Sequence, residues 1–95
     1  MYERILRRFR ERIRSLDYVV PLHAEEEMDE DGISVFDLES AILTGEIVER
    51  QHDRESREWK YVVNGKGVNG DSVGVVAKLS FTGRLVIITV YRSTP

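Results

Sequence analysis

Hydrophobic positions change their period along the chain. Tyr2, Ile5, Leu6, Phe9, Ile13 and Leu16 recur at helical spacing, and six arginines fall outside that stripe. The pattern predicts an amphipathic helix over 2–16, whose apolar face must be covered by the rest of the domain or by a second chain. Strand-like Tyr18-Val19-Val20 follows, and Pro21 interrupts it. A short helix is expected from Leu22 to Asp31, with Gly32 supplying the left-handed position that ends it. Ser34 then caps a second short helix, with Asp37 in capping-box register and Val35, Leu38, Ala41 and Ile42 turned inward as far as Gly45.

From Glu46 the apolar positions take on a strand pattern. Strands are expected at about 46–52, 58–68, 73–80 and 84–91, with a polar loop over 52–58. Asn69-Gly70 and Thr82-Gly83 supply the positive φ of tight hairpin turns, so consecutive strands should be antiparallel. The expectation is one α+β domain spanning 1–95. Its N-terminal helices pack on a curved, roughly four-stranded antiparallel meander, with 1–16 as an added helix and 18–95 as the core.

Composition narrows the class. Ninety-five residues suit one domain, and 41% hydrophobic residues suffice for one modest core. With no cysteine, disulfide and thiolate chemistry are excluded. No apolar run approaches the roughly 20 residues of a membrane span, and the basic start lacks a secretory apolar segment. A soluble, cytoplasmic protein with no membrane partner is expected. The net charge of −3 hides three blocks: a basic one over 1–16, a strongly acidic one over 17–50 and a basic one over 51–95.

Three stretches invite a chemical reading. Glu25 to Asp31 holds six acids directly after His23-Ala24. Glu27, Asp29, Asp31 and Gly32 imitate a calcium loop, but Leu38 stands where its bidentate acid belongs. "GKGVNG" (65–70) matches a dinucleotide fingerprint by letter, yet a strand follows where a helix is required, so these are hairpin glycines. His23 is a candidate acid-base group because an imidazole titrates near neutrality. Beside carboxylates alone it defines no metal geometry, and no metal or cofactor is expected. Arg7, Arg8, Arg14, Arg54, Arg57, Lys60, Lys66 and Arg92, with Trp59, Tyr61 and Tyr91, make a candidate RNA surface. Pairing of those arginines with the acidic block would neutralise them instead.

The order of elements and a set of anchors resemble a family of small bacterial domains. Its members read H-A-x-x-R-M-x-x-R-G-I-S, then L-x-G-E-I, then V-I-T-V-Y-R-x-x-P. This chain has His23-Ala24, Met28, Gly32-Ile33-Ser34, Leu43-Thr44-Gly45-Glu46-Ile47, Ile87 to Arg92, and Pro95. That family is similar to the RelE and BrnT toxins, in which helices pack on a curved antiparallel sheet and side chains cut RNA without metal. The resemblance implies His23 as general acid-base, Arg92 as phosphate contact and Tyr91 as a secondary candidate. Glu27 and Asp31 stand where the family has arginines. Glu27 lies one helical turn after His23 and so would orient its imidazole, while repelling phosphate.

Two functional expectations follow. The first is a domain derived from a metal-independent endoribonuclease of toxin–antitoxin type. The second is a non-catalytic module that binds an antitoxin-like protein or a second copy through the N-terminal helix.

Overall fold

The computed structural model describes residues 1–93; Thr94 and Pro95, the last anchor of the resemblance, lie outside the described residues. Three helices, α1 (Glu3–Arg14), α2 (Leu22–Asp31) and α3 (Val35–Thr44), accompany five strands, β1 (Tyr18–Val19), β2 (Glu46–His52), β3 (Trp59–Lys66), β4 (Ser72–Leu79) and β5 (Leu85–Arg92). The strands form one open sheet in the order β1-β5-β4-β3-β2. Four strands make the expected antiparallel meander. The correction is the fifth: Tyr18 and Val19 pair in parallel with Leu85 and Val86, so the sheet is mixed. A two-residue strand carries too little periodicity to announce a partner so distant in sequence.

The stripe on α1 is buried within the chain. Leu6, Phe9 and Ile13 join Leu38, Ile42, Val63, Val75, Leu85 and Ile87 in one core cluster. Phe9 meets Tyr61 edge-on with centroids 5.8 Å apart, and Tyr2 does so at 6.1 Å. Leu16 departs from the predicted stripe: it is 70% exposed, with φ 58. Its N–H donates to Ile13 O and the N–H of Asp17 to Arg12 O, a left-handed helix stop made without glycine.

The other local rules hold. Gly32 ends α2 at φ 67. Ser34 and Asp37 make the reciprocal capping box of α3. Leu38, Ala41 and Ile42 are buried as expected, whereas Val35, expected to turn inward, is exposed. Each glycine of "GKGVNG" has a separate reason. A Cβ on Gly65 would stand 2.0 Å from Ala41 O, so the glycine lets α3 lie directly on β3. One on Gly67 would stand 2.7 Å from Asp37 Oδ1, and Gly70 turns the β3–β4 hairpin at φ 86.

Candidate functional site: the seam between α2 and β5

β5 is only partly covered by β1, whose pairing stops at Val86. Beyond that point α2 runs along the same edge. Its residues at i, i+4 and i+8 are His23, Glu27 and Asp31, which a helix places on one line. His23 Nε2 is hydrogen-bonded to Ile88 O at 3.0 Å. Thr89 Oγ1 donates to Glu27 Oε1 at 3.1 Å. Arg92 Nε donates to Asp31 O at 3.0 Å, and its Nη2 reaches Gly32 O at 3.5 Å. The seam therefore satisfies an edge carbonyl at one end and the open carbonyls of the α2 C-terminus at the other.

Arg92 is further engaged by Asp71 Oδ2 at 3.4 Å. Asp37 belongs to the same end of the molecule. Its carboxyl is held below the ordinary range by the N–H groups of Ser34 and Val68, with a smaller contribution from Arg92. The guanidinium thus sits among two carboxylates and two carbonyls.

The four sequence candidates do not converge on one point. His23 and Asp31 stand eight residues apart on α2, roughly 12 Å along its axis, and Arg92 is held at the far end. Tyr91 projects from the opposite sheet face to Arg92, because it alternates with buried Val90 and pairs with Gly74. Its ring lies over Gly74, where an added Cβ would come within 2.3 Å of it. Among the described residues Glu27 bonds to Thr89 rather than to the imidazole it was expected to orient.

The wider basic set is also dispersed. Tyr61 is buried beneath Tyr2 and Phe9, which removes it from any stacking surface. Trp59 already carries the Arg50 guanidinium 4.0 Å from its ring centroid, a partner the sequence did not suggest. Lys66 Nζ donates to Ser72 Oγ. Two arginines outside the candidate set prove structural. Arg10 donates to Ile42 O and Gly45 O at the end of α3, and Arg12 donates to Gly83 O. Arg10 carried a general signal, a cation that meets an open helix end; nothing near Arg12 encodes the hairpin carbonyl of Gly83. Among the described residues no group of three His, Cys, Asp or Glu is placed to hold a metal ion, and no helix is long and apolar enough to cross a membrane.

This arrangement defines a class: an α+β domain whose open sheet has one edge shared by a parallel strand and a helix. The family model described as "Domain of unknown function (DUF4258)" matches residues 22–92, and the chain belongs to that family. The match begins at α2 and leaves α1 outside. No curated protein and no solved structure matches the chain.

Proposed function

We propose that this domain is a non-catalytic interaction module built on a fold akin to the RelE and BrnT toxins. The observation that carries this reading is the seam itself. His23, Glu27 and Arg92 each spend a polar group on joining α2 to β5, and the cation expected at the phosphate is tied to Asp71. The exposed side of α2 presents Glu25, Glu26, Asp29 and Glu30, a field that repels a polyanion. Apolar Leu22, 69% exposed, lies one turn from Glu25 and Glu26 on α2 and suits contact with an antitoxin-like protein.

A second reading, a metal-independent endoribonuclease, draws on the exposed imidazole of His23 with Glu27 one turn away. There His23 would move the proton with Arg92 as the cation on the same edge, while Tyr91, on the other sheet face over Gly74, takes no part. Incubation of RNA with the protein and with His23→Ala separates the two. Under the module reading RNA persists equally with both proteins and with buffer. Cleavage by the wild type that falls at least 100-fold with His23→Ala would replace the module by the nuclease.

A further inference from the structure

Arg7, Arg10 and Arg14 lie at i, i+3 and i+7 on α1, one line along the helix. With Glu3 and Leu6 they line an open surface depression of about 300 Å³. Arg10 is pinned in place, its Nε donating to Ile42 O at 3.2 Å and its Nη2 to Gly45 O at 2.8 Å. That leaves its Nη1 without a partner among the described residues. Arg7 and Arg14 are exposed and make no ion pair among the described residues. The one carboxylate lining it, Glu3, is paired with the Met1 ammonium at 2.7 Å, and Glu11, a turn from Arg7 and Arg14, makes no ion pair with them among the described residues. The acids of α2 therefore do not neutralise this cluster from within the chain.

We propose that this depression is a binding site for a phosphate group, carried either by a small phosphorylated ligand or by an RNA backbone. It lies on α1, outside the family match, and goes beyond the reading of the α2–β5 seam. Guanidinium forks match the paired oxygens of phosphate, and three of them surround one concavity. Arg10 is already ordered by the end of α3, so less conformational freedom is lost when an anion arrives.

The test uses inorganic pyrophosphate and a fluorescent ten-nucleotide oligouridylate as probes at low salt. Three proteins are compared: wild type, Arg7→Ala/Arg14→Ala, and the charge-matched control Arg4→Ala/Arg8→Ala, which alters α1 outside the depression. Circular dichroism verifies that all three are folded. Affinity for one or both probes should fall at least tenfold in the first variant and less than threefold in the control. Loss confined to pyrophosphate assigns a small phosphorylated ligand, and loss confined to the oligonucleotide assigns an RNA backbone. Equal loss in both variants, or no binding by the wild type, overturns the site. So does concentration-dependent self-association that Arg7→Ala/Arg14→Ala abolishes while neither probe binds.

Discussion

Leu16 and Gly32 hold the same left-handed conformation at the ends of consecutive helices. Gly32 does so without cost, whereas the Cβ of Leu16 opposes it by about 1–2 kcal/mol. Leu16 is largely exposed, so little burial is lost by trimming it. Leu16→Gly should therefore stabilise the fold by about 0.5–1 kcal/mol, after the extra freedom of glycine in the unfolded chain is subtracted. Urea denaturation measures this, and destabilisation would mean that the Leu16 side chain packs against something. Tyr18 gives a pH-dependent counterpart. Burial, and then the hydrogen bond to Glu39, push its hydroxyl up to about 12 from the ordinary 10.0. A pKa raised in the folded state means the contribution is whole below pH 10 and fades as pH rises toward 12. Thermal unfolding of Tyr18→Phe should accordingly lose less stability across that interval than the wild type. An identical slope would remove Tyr18 as the alkaline sensor.

At the scale of elements, α1 is the piece whose role changes most from expectation to structure. Its stripe was open to burial against the chain itself or against a partner, and Phe9 settles on Tyr61 within one core. Deleting residues 1–16 should therefore unfold or aggregate the protein rather than convert one oligomer into another. Losing buried Phe9 alone costs about 3–5 kcal/mol, a large share of a small domain's stability. Circular dichroism with light scattering checks this, and a folded, soluble truncation would contradict it. Helices and meander were legible because their signals are local: Gly32, the Ser34–Asp37 box, and strand alternation around Gly70 and Gly83. The parallel β1–β5 pair was not, since nothing near Tyr18 encodes Leu85. The seam was half legible. Helical spacing put His23 and Glu27 on one face, but only the fold shows that Ile88 O and Thr89 meet them and that Arg92 reaches the Asp31 carbonyl.

Across the whole molecule, charge is segregated and stays so. The ion pairs among the described residues join Met1 to Glu3, Arg12 and Arg84 to Asp17, Arg92 to Asp71 and Lys78 to Glu58, and none links α1 to α2. The basic outer side of α1 and the acidic side of α2 remain two separate fields on one small body, each open to its own partner. The placement of β1 has a temporal consequence as well. Among the described residues its only strand neighbour is β5, so the half of the chain synthesised first cannot complete the sheet until the β4–β5 hairpin has emerged. The meander, whose contacts are near in sequence, can assemble early; closing the long intervening loop costs chain entropy and comes late. During that wait the edge of β5 and the apolar side of α1 are both uncovered, which makes this interval the one in which a nascent copy is most open to capture by a chaperone or by another nascent copy.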